Sequence, residues 1–453
     1  MSITLGPNTL PSPRPWQEQV LRTHTENKWA IFADPRIGKT YVGATWMRKL
    51  LEDDPHLQGL VSAPLRVCPL WEETLQAAGI PTIPLYDLTA AKARTLLKQP
   101  HNGVIVLNID KLWPLRDLLY HNTQIYICDE VHETASPSAH RALSARRIAH
   151  NATYVLPLTA TPAPNHKGNL WSPLNMIGAF PKTWTEFQER YLIRDMMFPS
   201  IVKDYINVEE LETLIVDHSA IVPRSSVFGP DSYQFIYRDV KLPPATMNMY
   251  RKLAKEWILE NPNVVADHTL TRLLRLHQLT SGFLIDADGQ EVLIHSTKLD
   301  AALADLGEII EAGEKAVIFH RFKREGEIMG QSLRLNVPTF YINGQYDAHA
   351  SEEQRAAFTR QEGAAVIIVQ IQSGGVGISL AEADHALYLS RDFSFVHDEQ
   401  SRDRIYKPGA SRTITYYEVP GTIDKTISRA LAHKRDMHDS IKALSSEAIV
   451  FGE

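Results

Sequence analysis

Cysteine is nearly missing from this chain of 453 residues: Cys68 and Cys128 stand alone, with no CxxC pair and no Cys/His cluster. Neither a disulfide framework nor a structural zinc site can be assembled from them, so any metal must arrive with a ligand. Long apolar runs are missing too. None reaches the roughly 18 residues that would span a bilayer, which excludes a membrane protein. The opening Met1-Ser2-Ile3-Thr4-Leu5 has neither the basic start nor the apolar stretch of a secretory signal, and the expected location is the cytosol. An excess of charge of one sign is absent as well: 47 Lys and Arg against 53 Asp and Glu leave a net charge of -6. Such a balance exerts no global pull on a polyanion, so nucleic-acid binding would have to use a local basic groove or backbone amides. There is no internal repeat and no low-complexity tract. What remains is an ordinary globular composition, 44% hydrophobic and 22% charged. That excludes a disordered chain and leaves enough length for two or three domains.

Short β-rich apolar runs alternate with helix-like stretches in both halves. Trp29–Phe32, Gly59–Val61, Val104–Leu107, Ile125–Cys128 and Tyr154–Leu156 read as buried parallel strands, as do Ala316–Phe319, Thr339–Ile342, Val366–Val369, Ala386–Leu389 and Ile414–Tyr417. The fold class is therefore α/β with two parallel sheets. From about His166 to Lys298 the pattern turns helical and irregular, with Met247, Tyr250, Leu253 and Trp257 on one helix face and Leu270, Leu273, Leu274 and Leu276 on another. Gly229-Pro230 marks the expected break, giving domains of 1–228 and 229–453, the second opening with a helical insertion.

The sharpest local signal is Ala33-Asp34-Pro35-Arg36-Ile37-Gly38-Lys39-Thr40, after a predicted strand and before a predicted helix. Backbone amides at the helix start can cradle phosphate oxygens, Lys39 can reach the β- and γ-phosphates, and the Thr40 hydroxyl can hold Mg²⁺. Ala33 replaces the usual first glycine, and Arg36 stands where many such loops have another. Asp129-Glu130-Val131-His132 then follows a buried strand at the edge where α/β sheets gather ligands. Adjacent carboxylates divide the work there: Asp129 for the magnesium shell, Glu130 to orient and deprotonate a water.

With Leu158-Thr159-Ala160-Thr161-Pro162 after the next strand, the set resembles the motifs of superfamily 2 helicases and translocases. Gly374-Gly375-Val376-Gly377 resembles motif V, Gln400 to Gly409 resembles motif VI, and Arg14-Pro15-Trp16-Gln17 looks like the adenine-reading Q-motif. Ala63-Pro64-Leu65 with Trp71-Glu72-Glu73, Thr161 to Asn165, and Gly344 with Arg355 and Phe358 are closer to SNF2-like DNA-dependent ATPases, particularly the compact form common in bacteriophages. The spacing within motif VI also fits SNF2 proteins better than RNA helicases.

The resemblance implies two RecA-like lobes of the P-loop NTPase class, with ATP held by motifs I and II of the first lobe and motif VI of the second. It places Trp16, Gln17, Arg36, Gly38, Lys39, Thr40, Gly375, Gln400 and Arg404 at the nucleotide, Thr40 and Asp129 at Mg²⁺, and Thr159 and Thr161 as coupling residues. Arg404 becomes the arginine finger, assisted by Lys407, which stands where the family has a second arginine. A lysine offers a point charge without the planar fork. By the same analogy Arg66, Arg321, Lys323, Ser373 and Gly374 contact a nucleic-acid backbone without reading sequence. Trp171, Trp184, Phe187 and Tyr191 are spaced either for base stacking or for core packing. The expected activity is ATP-dependent movement along single- or double-stranded DNA, in phage or bacterial replication, recombination or repair, beside proteins of those processes. The alternatives are an ATP-binding nucleic-acid scaffold with little hydrolysis and a helicase acting on RNA.

Overall fold

The computed structural model describes residues 2–196, 202–230, 232–260, 266–285, 289–333, 337–346, 348–372 and 378–444. The chain divides into two compact units: Met1–Pro230 with Lys434–Glu453, and Asp231–His433. All ten strands expected from the sequence are present, seven of them one to three residues longer than the apolar run that signals them.

The first unit holds β1 (Ala30–Ala33), β2 (Gly59–Ala63), β3 (Thr82–Pro84), β4 (Val104–Asn108), β5 (Ile125–Asp129) and β6 (Tyr154–Thr159). A hairpin, β7 (Leu192–Arg194) and β8 (Val202–Tyr205), precedes β9 (Ser219–Val222). Among the described residues the main sheet is parallel throughout, in the order β3-β4-β2-β5-β6-β1-β9. Helices cover both faces, which is why these strands read as continuous apolar runs rather than alternating ones. Phe32, Leu60, Ile105, Tyr126 and Val155 enter a core shared with Trp171, Phe187 and Tyr191. Trp184 packs against that core, so these four aromatics are packing residues. Met437 and Ile441 of the helix Ile423–Lys442 join the same core. The end of the chain thus belongs with the first unit, whereas the sequence reading gave everything after 229 to the second.

The second unit holds β10 (Tyr233–Asp239), the hairpin β11 (Phe283–Ile285) and β12 (Glu291–Leu293), β13 (Lys315–His320), β14 (Thr339–Ile342), β15 (Ala365–Gln370), β16 (His385–Tyr388) and β17 (Arg412–Glu418). Its parallel sheet runs β10-β17-β16-β13-β15-β14. Successive side chains leave opposite faces of a strand. Val317 and Phe319 accordingly enter one core, and Ala316 and Ile318 the other.

The stretch expected to be helical and irregular does carry the helices Pro244–Glu260 and Ala266–Thr280. It also contains β9 and β10, each at the edge of a main sheet, and two hairpins. Edge strands such as β10, with exposed Phe235 and Tyr237, lack the uniform apolar signal of buried ones. The side chains of Trp257 and Leu270 lie outside the described residues. Among the described residues no helix is long and apolar enough to cross a membrane.

One buried ion pair ties the helical region to the second sheet. Lys298 Nζ lies 2.6 Å from Asp424 Oδ2, both side chains being nearly inaccessible. Asp424 also accepts from the Thr280 hydroxyl at 2.9 Å and from the Val419 amide at 2.9 Å. Removing one partner of such a pair leaves the other charge buried and uncompensated. We expect Asp424→Asn to destabilise the second unit by about 3–5 kcal/mol in urea unfolding, and a further Lys298→Met to recover much of that loss. An unchanged midpoint in the single variant would show that the pair holds nothing together.

Candidate nucleotide site

Because β6 lies between β1 and β5, three loops leave one edge of the first sheet side by side. Ile31 is paired with Leu158, and Leu158 with Asp129. Phe32 is paired with Thr159 one row further on. The carboxylates, the threonines and the phosphate loop are therefore brought together by parallel register alone.

The loop between Ala33 and Lys39 turns through two left-handed residues, Arg36 at φ 65° and Gly38 at φ 100°. Glycine adopts that region freely, whereas for arginine it is strained. A Cβ on Gly38 would run into the Gln17 carboxamide. Gln17 Nε2 donates to the Gly38 carbonyl at 3.1 Å, its Oε1 accepts from the Arg14 amide at 2.7 Å, and Arg14 Nη1 donates to the Ile37 carbonyl at 3.0 Å. Trp16 is buried beside them. The segment read as a Q-motif thus fastens the outer side of the loop. Lys39 and Thr40 open the helix Lys39–Asp53, whose first amides face outward from the loop end. Lys39 Nζ donates to the carbonyls of Ala33 at 2.8 Å and Asp34 at 3.3 Å, so the ammonium lies folded across the cradle.

Asp34 sits inside this loop as a buried anion. Its carboxylate meets Lys442 Nζ at 2.8 Å and accepts from the Arg224 amide at 2.9 Å. Burial pushes its pKa up, but Lys442 and the Arg224 amide outweigh that and hold it below the usual carboxylate range. No local sequence signal could have found Lys442, which lies 408 positions away (442 − 34).

At the end of β5, Glu130 is a second left-handed non-glycine residue, at φ 49°. Strain of this kind persists where surrounding contacts over-determine the backbone, and it clusters at functional sites. Asp129 is held at both oxygens: Oδ2 accepts from the Trp71 indole at 2.7 Å and Oδ1 from the Glu130 amide at 2.9 Å. Burial and the adjacent Glu130 carboxylate push Asp129 up to about 6, while Trp71 and Lys39 pull the other way. Burial opposes ionisation of Glu130 too, yet His132 outweighs it and the group is held down. His132 Nδ1 lies 3.1 Å from Glu130 Oε2, 2.9 Å from Thr159 Oγ1 and 3.4 Å from Thr161 Oγ1. Burial lowers His132, and the Glu130 carboxylate raises it by more. Thr159 also donates to Glu130 at 3.4 Å and accepts from the Thr161 amide at 3.0 Å.

Among the described residues no group of three His, Cys, Asp or Glu side chains is arranged to hold a metal. Thr40 and Asp129 would be the protein ligands for Mg²⁺, and such ions draw most of their oxygens from phosphates and water. The loop cradle, its ammonium and these two oxygen ligands fit a magnesium-bound triphosphate.

The remaining expected residues have varied surroundings. Arg404 directly follows the helix Phe395–Asp403, is buried, and accepts from the Leu380 amide at its carbonyl, 2.7 Å away. Gln400 is half-buried on that helix, and Lys407 is exposed 3.7 Å from Glu382. Arg321 Nη1 lies 2.9 Å from His277 Nδ1, whereas Lys323 is exposed 3.6 Å from Glu327. Arg66 is exposed in the turn after β2. Ser373, Gly374 and Gly375 lie outside the described residues.

Two family models match along the chain, "Type III restriction enzyme, res subunit" over residues 11–164 and "Helicase conserved C-terminal domain" over residues 300–409. The first spans β1 to β6 of the first sheet and the second β13 to β16 of the second. The chain is an SNF2-like member of helicase superfamily 2. It is 22% identical to an uncharacterized ATP-dependent helicase of Mycoplasma pneumoniae over 92% of this chain and 40% of that protein. Over 44% of this chain and 23% of the other protein, it is 23% identical to the Drosophila melanogaster SWI/SNF-related regulator of chromatin containing DEAD/H box 1 homolog. A solved Sulfolobus solfataricus SWI2/SNF2 ATPase core in complex with dsDNA aligns over 99% of this chain and 97% of its own at 20% identity, with a TM-score of 0.45. The fold described above rests on strand order and register, independently of that alignment. The chain spans less than half the length of the curated relatives it matches.

Two residues outside the expected set carry testable roles. Trp71→Phe removes the donor to Asp129, and the Mg²⁺ concentration for half-maximal nucleotide binding should rise about tenfold. Lys442→Met leaves Asp34 uncompensated against incoming phosphates. We expect an ATP-analogue Kd several-fold higher, on the order of 1 kcal/mol, with Lys442→Arg close to the parent. Unchanged binding in either variant removes that residue from the site.

Proposed function

We propose that this chain is a DNA-dependent ATPase that couples hydrolysis to movement along DNA, as a translocase or helicase. The observation that carries this reading is the joining, at one sheet edge, of the Lys39 loop, the Asp129–Glu130 pair and the Thr159–Thr161 hydroxyls. ATP is the substrate. Thr40 and Asp129 would hold Mg²⁺, which when bound would neutralise phosphate charge. Lys39 would leave the carbonyls of Ala33 and Asp34 for the phosphates, and the backbone amides at the start of its helix would hold them. Glu130, kept ionised by His132, would orient the attacking water and take its proton.

Thr159 and Thr161 touch the same histidine that partners this base. A change in the Glu130 charge would alter their hydrogen bonds, which supports their assignment as coupling residues. Arg404 is the proposed arginine finger, with Lys407 assisting it. Transition states of phosphoryl transfer are stabilised mainly by such positioning and charge. The choice of DNA draws on the SNF2 motif pattern and on relatives concerned with chromatin and with DNA repair. A role in replication, recombination or repair follows from that choice.

The test is ATP turnover with and without DNA, in parallel with RNA. Lys39→Ala and Glu130→Gln should each lower DNA-stimulated turnover by at least about 10²-fold. Stimulated turnover unchanged in both variants overturns the site. Nucleotide binding without turnover in the parent chain points to a scaffold, and stimulation by RNA in preference to DNA points to an RNA enzyme.

A further inference from the structure

The second unit contains a cavity of about 230 Å³ at the C-terminal ends of β13, β14 and β15, beside the helix Lys323–Leu333. A single water needs roughly 10–15 Å³, so this is room for a small molecule or a side group. Two glycines one turn apart on the helix open it. A Cβ at Gly326 would collide with the His320 imidazole, and one at Gly330 with the Tyr341 hydroxyl. The helix therefore yields space to two polar rings rather than filling it.

The lining has a definite hydrogen-bonding character. His320 Nδ1 donates to the Phe322 carbonyl at 2.8 Å, which leaves Nε2 with its lone pair. Burial lowers His320 to about 4, so the ring is a neutral acceptor at physiological pH. The Tyr341 hydroxyl is buried against Gly330, so Tyr341 gives the cavity its ring rather than its oxygen. Asn343 and Gln370 also line this space, Asn343 Oδ1 accepting from the Gln345 amide at 3.0 Å and Gln370 Nε2 donating to the Arg321 carbonyl at 3.4 Å, and Tyr346 adds a second aromatic ring. Exposed Lys323 also lines it, 3.6 Å from Glu327 of the same lining.

A flat heterocycle whose edge both donates and accepts matches this set, since unstacked bases are bound by aromatic faces and read at their edges. We propose that the cavity receives one unstacked nucleobase of a bound DNA strand. The inference rests on the DNA-dependent reading above and deepens it, because it requires a single-stranded stretch at the second unit.

The test uses the whole chain with a short oligodeoxynucleotide carrying 5-iodouracil, irradiated and mapped by mass spectrometry, beside ATP turnover stimulated by the same strand. Adducts are expected at Tyr341 or Tyr346. Asn343→Ala should weaken strand binding about fivefold, the worth of one hydrogen bond. Gln331 is an exposed lining residue, so Gln331→Trp fills the cavity from outside the core and should abolish the adducts while leaving turnover without DNA unchanged. Normal stimulation with adducts only elsewhere, or adducts that survive Gln331→Trp, overturns the base pocket and spares the motor reading. Labelling by free 5-iododeoxyuridine monophosphate but not by the strand also overturns it, in favour of a mononucleotide site. Failure of DNA to bind or stimulate at all overturns both readings.

Discussion

Parallel hydrogen bonding among β5, β6 and β1 is the constraint on which the first unit depends. Parallel strands all end at the same edge, so the loops that follow them must gather there whatever their separation in sequence. With β6 in the middle, Thr159 and Thr161 lie between the phosphate loop and the Asp129–Glu130 pair. A slip of one residue along either strand pair would turn these side chains to the opposite faces of the sheet. Close packing against helices on both faces penalises any such slip, because each side chain is fitted to its neighbours.

Gathering charge at a buried edge has a cost, and the contacts around each carboxylate show how it is met. Isolated buried carboxylates neutralise rather than stay charged. Asp34 has Lys442 and an amide, Glu130 has His132 and a threonine, and Asp129 has an indole and an amide. Among the described residues Asp129 has no cation bonded to it, and burial beside Glu130 pushes it upward. The left-handed backbone at Arg36 and Glu130 belongs to the same pattern, with strain placed where the chain must present a group rather than pack it.

The second unit uses the same sheet architecture for a different surface. Its strands divide their apolar side chains between two cores, while the ends of β13, β14 and β15 turn polar and enclose a cavity instead of a phosphate loop. The helices before β13 are fixed through Lys298 and Asp424, a buried pair in which each charge compensates the other.

The linear chain determined its fold class, ten of its strands and the elements proposed to bind phosphate. Those signals are local: unbroken apolar runs, a strand-to-helix loop ending Gly38-Lys39-Thr40, and paired acids after a buried strand. Edge strand β10 escaped notice because it is only partly buried and carries no uniform pattern, and β9 because its four buried residues make too short an apolar run. Tertiary structure alone decided that Trp71 holds Asp129, that Lys442 neutralises Asp34, and that the end of the last helix belongs with the first unit. It likewise settled the aromatic group around Trp171 as core. Each of these depends on which distant segment lies against a buried polar atom or apolar face. Composition and periodicity report what a residue needs, while packing decides which neighbour supplies it.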